Sequence, residues 1–187
     1  PDKKGFGRRK VNIDILDLEN SIRKQIQNFL AVAKSLSVQT RHIKLHGRLY
    51  NEAAKEEKLA NLFLNIVNSL EGNLSIIGPP NSLLEVMTKS RNITFIPEAF
   101  IDRRYKEDYS LVDRSQNGAF LESVEDQINQ AKSIVQDQTV LTDNNKNIDI
   151  KAKTLCIHGD NPDALKTVKG VYEMLREKNI NIQSLYS

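Results

Sequence analysis

The sequence has little of several features that assign a protein to a class. It has one cysteine, Cys156, among 187 residues, which excludes an internal disulfide and favours a reducing compartment. No apolar run approaches the roughly 20 residues of a membrane-spanning helix. The formal net charge is only +3, with basic and acidic residues interspersed, so nothing indicates a nucleic-acid or membrane surface. These absences predict a soluble protein of the cytoplasm.

Composition favours a folded chain with a core. Hydrophobic residues make up 39% and charged residues 27% of the sequence, which is not the composition of a disordered chain. A chain of this length can bury most of its apolar surface in one domain, so we predict a single domain over 1–187. The glycine-containing segment 5–9 has loop composition and no element precedes it, so we expect the sequence to start inside a fold.

The hydrophobic pattern alternates between strands and helices. Apolar residues spaced by three or four predict helices, at about 17–36, 52–70, 83–87, 123–137 and 162–178. Ser123, with Asp126 three residues later, resembles a capping box and is predicted to cap the helix at 123–137. Strands are predicted at 38–45, 74–77, 93–96 and 154–157, with a hairpin turning at 144–147 and a last short strand at 180–182. Such alternation is typical of βαβ units and a parallel sheet. Five or six strands are too few for a closed barrel, so we predict part of a (β/α) barrel.

Two His-Gly pairs stand at the ends of predicted strands, at 44–47 (KLHG) and 156–160 (CIHGD). The carboxyl ends of parallel strands form the usual ligand site of α/β proteins. His46 and His158 are therefore candidate acid/base groups, metal ligands or hydrogen-bond donors. We expect their side chains within about 10 Å of each other, the width of a ligand pocket. The alternative is two surface histidines that share a local position by chance.

Residues beside the two histidines extend the candidate site. Lys44 lies two residues before His46, so both should point to the same side of the strand. A lysine facing the sheet is costly to bury unless it is paired, so we expect an acidic or anionic partner. Asp160 can orient an imidazole or bind a ligand; its alternative role is helix capping, for which Asn161 is the better candidate. His42 is predicted to be structural.

A third polar group follows the strand predicted to end at Pro97. Its members are Glu98, Asp102, Arg103 and Arg104. Two carboxylates with neighbouring arginines can bind a polar substrate and polarise a carbonyl; a solvated, salt-bridged loop is the alternative. Arg8 and Arg9 follow the GFG segment and can cradle an anion, although this signal is weak. The sequence contains no GxxxxGKS phosphate loop, no nucleophile elbow and no ligand spacing of a closed metal site.

Five blocks resemble, in order and spacing, those of the LamB/YcsF family, which includes one of the subunits of bacterial ATP-dependent 5-oxoprolinase. The blocks are PD 1–2 with GFGRR 5–9, KLHGRLYN 44–51, EAFIDRRY 98–105, RSQNGA 114–119 and CIHGD 156–160. The resemblance extends over the carboxy-terminal three-quarters of the family pattern. It implies a distorted, seven-stranded (β/α) barrel related to carbohydrate deacetylases, here incomplete at its amino-terminal end.

The resemblance also implies a function. It implies a complex with subunits B and C that uses ATP, with Mg²⁺ accompanying it, to open the lactam of 5-oxoproline to L-glutamate. The implied catalytic residues are His46, His158, Asp102 and Glu98. The implied substrate- or anion-binding residues are Lys44, Arg103, Arg104, Asp160, Arg8 and Arg9. No metal ligand set is predicted.

The sequence departs from the family pattern at three places. The family's first segment, with its DLNCDxGE, FHAGD and AHP blocks, has no counterpart in these residues. Arg48 stands where the family usually has a small residue, and Asn117 where it usually has proline. Two alternative functions therefore stay open: a metal-dependent deacetylase or amide hydrolase, and a non-catalytic assembly module of the complex.

Overall fold

The computed structural model describes residues 2–186, which divide into two compact units, Pro1–Pro97 and Glu98–Ser187. Pro1, which belongs to the first of the five blocks, lies outside the described residues. Each unit combines helices with parallel strand pairs, which confirms the predicted α/β class. The single domain over 1–187 and the part of a (β/α) barrel stay predictions.

The first unit packs helices around short parallel strands. Its elements are α1 (Ile15–Ser35), β1 (His42–Lys44), α2 (Gly47–Ala53), α3 (Glu57–Asn68), β2 (Ser75–Gly78), α4 (Leu83–Ser90) and the start of β3 (Phe95–Phe100). Strand β2 pairs in parallel with β1 on one side and β3 on the other, and all four of its residues are buried. Ile22 of α1 packs with Leu62 and Ile66 of α3 to form a core cluster.

The second unit begins in β3 and is built around a helix pair. Its further elements are α5 (Val124–Lys132) with a π-helical turn (Ser133–Asp137), β4 (Thr139–Leu141), β5 (Asn147–Asp149), β6 (Thr154–Cys156) and α6 (Ala164–Glu177). The second half of β3 pairs in parallel with β6. Gly170 of α6 lies so close to α5 that a Cβ there would be 2.3 Å from Ile128 Cδ1. Because α5 and α6 approach so closely at this point, position 170 has no room for a side chain.

Local signals in the sequence placed several elements correctly. Ser123 Oγ accepts a hydrogen bond of 3.0 Å from the Asp126 backbone N–H at the start of α5, which confirms the predicted cap. The hairpin is also confirmed, since β4 and β5 pair in antiparallel register around the turn at 144–147. Ser82 caps α4 in the same way as Ser123 caps α5.

Other predicted boundaries were wrong. The helix predicted at 52–70 is two helices, α2 and α3, because Glu56 adopts an extended conformation between them. Strand β3 does not stop at Pro97 but runs through it. Its pairing with β2 ends at Pro97 and its pairing with β6 begins at Glu98, so a residue without an amide hydrogen is tolerated there.

The two ends of the last helical region also differ from expectation. The N-cap of α6 is Asp163 rather than Asn161. Asn161 Oδ1 instead accepts a 2.9 Å hydrogen bond from the Asp163 N–H in the turn before the helix. No strand forms at 180–182, because the chain after α6 pairs with no other described segment.

A groove lies beside β1 in the first unit. Within the described residues β1 pairs with β2 alone. The groove has a volume of about 1270 Å³. Its apolar lining includes Ile22, Ile26 and Phe29 of α1, and its polar lining includes Lys44 and His46.

Among residues 2–186, no helix is both long enough and apolar enough to cross a membrane.

Gly47 generates a prediction about stability. Its φ is +63°, and a Cβ there would lie 2.4 Å from the carbonyl oxygen of Gly7. Gly47→Ala should lower the free energy of unfolding by about 1–2 kcal/mol for the left-handed backbone and by about 1–3 kcal/mol more for the overpacked contact. Urea unfolding followed by circular dichroism measures the change.

Gly72 is the matched control for this substitution. Its φ is +93°, and an added Cβ would meet no atom within 4 Å. Gly72→Ala should therefore show only the backbone cost. Equal losses for the two variants would show that the approach of Gly7 to Gly47 contributes nothing to stability.

Candidate functional site

Three polar residues occupy equivalent positions after parallel strands. Strand β1 ends at Lys44, β3 at Phe100 and β6 at Cys156, and in each case the second residue after the strand is a candidate site residue. These residues are His46, Asp102 and His158. The position of both histidines beyond strand ends confirms what the His-Gly pattern predicted. Their separation stays a prediction.

Asp102, which is buried, and His158, which is partly buried, form a pair in the second unit. Asp102 Oδ2 lies 2.7 Å from His158 Nδ1 and also accepts a 3.1 Å hydrogen bond from the His158 backbone N–H. The side chains are 3% and 16% exposed, respectively. Asp102 Oδ1 is buried with no hydrogen-bond partner among the described residues. The carboxylate is therefore held against His158 with little competition from other donors.

The neighbours of His158 fix its ring and its tautomer. Arg114 Nη2 lies 2.8 Å from His158 Nε2. A guanidinium can only donate hydrogen bonds and an ionised carboxylate can only accept them, so His158 carries its proton on Nδ1 and presents a lone pair at Nε2. The Phe100 ring stacks on the imidazole, with centroids 5.2 Å apart and planes 12° apart. This arrangement orients His158 as a base whose Nε2 accepts a hydrogen bond from Arg114.

Arg103 was predicted to bind an anion, and the structure does not support that role. It is 2% exposed, and its guanidinium donates hydrogen bonds to the backbone carbonyls of Ala119 at 3.2 Å and Val112 at 2.5 Å. Burial, followed by repulsion from the Arg114 cation, lowers the pKa of Arg103 to about 10. Arg103 therefore remains charged at neutral pH. Its guanidinium binds backbone carbonyls of the long loop, which joins β3 to α5, and not a ligand.

Two further side chains hold the segment that carries Asp102. Tyr105 Oη accepts a 2.7 Å hydrogen bond from the Phe100 N–H, and burial raises the pKa of this phenol. Gln130 of α5 donates to the carbonyls of Phe100 and Arg103, at 2.9 and 2.8 Å. These bonds fasten the backbone on both sides of Asp102, which restricts where its carboxylate can point.

The other site residues predicted in this unit differ in accessibility. Glu98 is 5% exposed within β3 and faces Thr154 of β6 in register. Arg104 is half-buried, and its backbone pairs with Ala119. Asp160 is exposed in the turn after His158. It caps none of the described helices, so its predicted contact with a ligand stays a prediction.

A separate cluster surrounds His46 in the first unit. The Arg48 N–H donates a 2.8 Å hydrogen bond to the Gly7 carbonyl, which brings the 5–9 loop against the start of α2. His46 is exposed, and Phe6 approaches it edge-on with ring centroids 6.4 Å apart. Arg8 is half-buried and its guanidinium lies 5.9 Å from the Phe6 ring centroid.

The loop itself is organised by one carboxylate. Asp2 accepts hydrogen bonds from the backbone N–H groups of Gly5 at 2.8 Å and Arg9 at 3.0 Å. The Arg9 side chain is exposed and lines the groove. The GFG segment thus forms a defined turn that places two arginines beside the strand-end histidine.

Lys44 and His42 differ in their surroundings. Lys44 is half-buried, and its ammonium lies 5.6 Å above the ring centroid of buried Tyr50. Its side chain thus contacts the interior as predicted, and the expected acidic or anionic partner stays a prediction. His42 is exposed at the start of β1, so it adds little to the core, and the structural role predicted for it is not supported.

The match to known proteins extends over the whole sequence. The model of the LamB/YcsF family matches residues 1–187. The chain belongs to the LamB/YcsF family. Among its relatives is the A subunit of 5-oxoprolinase from Staphylococcus haemolyticus (strain JCSC1435), with 35% identity over 99% of this chain and 74% of that protein. The corresponding 5-oxoprolinase protein of Staphylococcus aureus (strain Newman) is 34% identical over the same shares.

A solved family structure has the same fold. The lactam utilization protein from Thermus thermophilus superposes with a TM-score of 0.87 and 25% sequence identity. The match covers 99% of this chain and 74% of that one. The α/β arrangement of parallel strands and helices is therefore shared with a solved lactam utilization protein.

Sequence reasoning missed the residues that support the pair. Gln130 was not selected, although it lies on the buried face of α5 and a buried glutamine indicates a buried hydrogen bond. Gln127, one turn earlier, donates to the Leu121 carbonyl at 2.6 Å and accepts from Thr167 Oγ1 at 2.8 Å. Arg114 stands in the matching 114–119 block but was not assigned a role. No local pattern shows that it reaches His158, 44 positions away.

Metal-ligating side chains are dispersed in the described part of the chain. No three or more His, Cys, Asp or Glu residues are grouped there so that they could hold a metal ion.

The Asp102–His158 pair predicts a measurable tautomer. In ¹⁵N-labelled protein, His158 should show a protonated Nδ1 and an unprotonated Nε2 at neutral pH. Asp102→Asn should lose this preference, because an amide can also donate to Nδ1. Heteronuclear NMR is practical here because the sequence has only three histidines, and His158→Gln assigns the signal. A dominant Nε2–H tautomer in the unmodified protein would contradict the geometry described above.

Proposed function

We propose that this chain is one subunit of an ATP-dependent 5-oxoprolinase, which opens the lactam of 5-oxo-L-proline to L-glutamate. The observation that carries the proposal is the buried contact between Asp102 and His158, 2.7 Å from Oδ2 to Nδ1. Relatives named as the A subunit of 5-oxoprolinase support the substrate, with 33–35% identity over 99% of the chain. A protein named as one subunit belongs to an assembly, and we propose subunits B and C as the partners of this chain.

His158 acts as the general base in this proposal. Its Nε2 lone pair takes a proton from water while the water oxygen bonds to the lactam carbonyl carbon. The ring C–N bond then breaks, and the imidazolium returns the proton to the departing ring nitrogen. Opening the ring thus consumes one water, with the hydroxyl on carbon and the proton on nitrogen. A positioned acid/base group of this kind contributes about 10²–10⁴-fold to the rate.

Asp102 supports both halves of that cycle. Its contact with Nδ1 keeps the lone pair on Nε2 before proton transfer. Once the imidazolium forms, the buried carboxylate stabilises the positive charge, and such stabilisation is strong where water is excluded. Glu98, buried in β3, is a further proposed catalytic residue near the start of the same segment.

ATP is proposed as the co-substrate of the complex. It would supply a phosphoryl group that bonds to the lactam oxygen and makes the carbonyl carbon a better electrophile for the first water. After the ring C–N bond breaks, a second water would release that group from the resulting acyl phosphate as inorganic phosphate, leaving the carboxylate of glutamate. Polyphosphate fits the groove of the first unit chemically, because six Lys and Arg residues and four Asp and Glu residues line it. Lys44 and Arg9 would hold the phosphates there, with Mg²⁺ accompanying the nucleotide. Under this proposal the chain is part of a (β/α) barrel.

Removing either member of the pair tests the function. His158→Ala and Asp102→Ala should each lower ATP-dependent cleavage of 5-oxoproline by at least about 100-fold, the effect of losing a positioned base or its charge partner. The assay uses the complex assembled with subunits B and C and measures glutamate formation. Asp149→Ala is the matched control, because Asp149 is an exposed carboxylate at the end of β5.

The control variant should keep the unmodified rate. Melting temperatures of all three variants separate lost chemistry from lost folding. Near-normal glutamate formation by both site variants, with unchanged melting temperatures, would remove the pair from the mechanism. The chain would then be better explained as an assembly module.

A further inference from the structure

Arg114 covers the atom that the proposed reaction uses. Its Nη2 is 2.8 Å from His158 Nε2, and a lone pair that accepts from a guanidinium cannot at the same time accept a proton from water. Protonation of Nε2 would also place two cations in contact. Arg114 must therefore leave His158 before proton transfer, and something that arrives with the substrate has to draw it away.

We propose that Arg114 recognises the carboxylate of the substrate and, by turning toward it, releases His158 Nε2 for catalysis. This inference rests on the proposed function, because it assigns one group of 5-oxoproline to one residue of the same site. A guanidinium binds a planar carboxylate through two parallel hydrogen bonds. Such a charge-assisted pair is stronger than a hydrogen bond to a neutral imidazole, so the carboxylate can displace His158 as the acceptor.

The aromatic platform beneath Arg114 permits this exchange. The Arg114 guanidinium carbon lies 5.1 Å from the Phe120 ring centroid, and that of Arg103 lies 4.7 Å from the same centroid. A guanidinium can pivot across a ring face while keeping its cation–π attraction. The two cations also repel each other, since Arg114 contributes to the lowered pKa of Arg103. An anion bound at Arg114 reduces that repulsion.

Hydrogen bonds from the neighbouring residues fix the backbone at Arg114, and the long side chain lets its guanidinium move. Asp113 Oδ1 accepts hydrogen bonds from the Ser115 N–H at 2.9 Å and from Ser115 Oγ at 2.6 Å. The Asp113 carbonyl accepts another from the Gln116 N–H at 3.0 Å. This turn fixes where the Arg114 side chain starts, so the guanidinium swings from a defined point between His158 and a ligand.

The chemistry of 5-oxoproline matches this pairing of residues. Its carboxylate is attached to one carbon beside the ring nitrogen, and its lactam carbonyl is the carbon on the other side of that nitrogen. The carboxylate of 5-oxoproline can therefore bind Arg114 while its lactam carbonyl carbon lies beside His158. The direct Arg114–His158 contact brings these two protein groups within that reach.

The first test separates binding of the carboxylate from chemistry. In the complex assembled with subunits B and C, Arg114→Met should lower kcat/KM for 5-oxoproline by roughly 10- to 100-fold, mostly through KM, which is the loss expected for a charge-assisted hydrogen-bonded pair. Arg114→Lys keeps the charge but cannot form two parallel hydrogen bonds, so its kcat/KM should lie between those of Arg114→Met and the unmodified complex. Arg176→Met is the matched control, because Arg176 also lies over an aromatic ring in the same unit, 5.9 Å from the Tyr172 centroid.

The second test reads His158 directly in the ¹⁵N-labelled chain. Adding 5-oxoproline should shift the Nε2 resonance, because Arg114 leaves it, whereas 2-pyrrolidinone, the same lactam without a carboxylate, should not. Arg114→Met should abolish the difference between the two lactams. Equal shifts from both lactams in the unmodified chain, or an unchanged response in Arg114→Met, would overturn the inference.

The two tests also distinguish this inference from the proposed function. If the unmodified complex failed to cleave 5-oxoproline while the carboxylate-dependent shift of Nε2 persisted, the function would be refuted and the carboxylate site would stand. If the complex cleaved 5-oxoproline and Arg114→Met behaved like Arg176→Met, the function would stand and the carboxylate site would be refuted.

Discussion

The Asp102 carboxylate joins the segment after β3 to the segment after β6, because Oδ2 accepts hydrogen bonds from both the backbone and the ring of His158. The rest of the second unit's site depends on this contact. It sets the tautomer of His158, which in turn determines that Nε2 is an acceptor and that Arg114 can cover it. A buried carboxylate without such a partner would be costly, so the fold and the chemistry require the same contact.

The supporting polar groups are buried for a related reason. The segment from the end of β3 to the start of α5 forms only isolated backbone pairs, so side chains supply further hydrogen bonds to its backbone. Arg103 donates to two carbonyls of that segment, and Gln130 donates to two more. Buried polar networks are stable only when their members are paired. The long loop is therefore rigid where it carries Asp102, although its composition is that of a flexible connector.

The parts of the fold that follow local rules could be predicted from the sequence. The Ser123 cap and the hairpin at 144–147 depend on residues a few positions apart, and the strand-end positions of His46 and His158 follow from short apolar runs that end in His-Gly. The chain's family could also be recognised from the order of its five blocks. Apart from the order of the five blocks, each of these signals is contained in one short segment of the chain.

The features that sequence reasoning missed depend on distant contacts. Whether Arg103 binds a ligand or the backbone is decided by carbonyls 9 and 16 positions away. The role of Arg114 is decided by a histidine 44 positions away. The continuation of β3 through Pro97 depends on which strand pairs on each side of it. No local pattern carries this information, since it arises only when the strands are assembled.

A crystal structure with 5-oxoproline bound tests the central claim most directly, because it locates the substrate relative to the Asp102–His158 pair. The account predicts that one water lies between Nε2 of His158 and the lactam carbonyl carbon, with its oxygen about 2.6–3.2 Å from Nε2. The contact between Asp102 and Nδ1 should be unchanged. Binding of 5-oxoproline away from His158, or with Nε2 still covered by Arg114, would contradict the assignment of this histidine as the base.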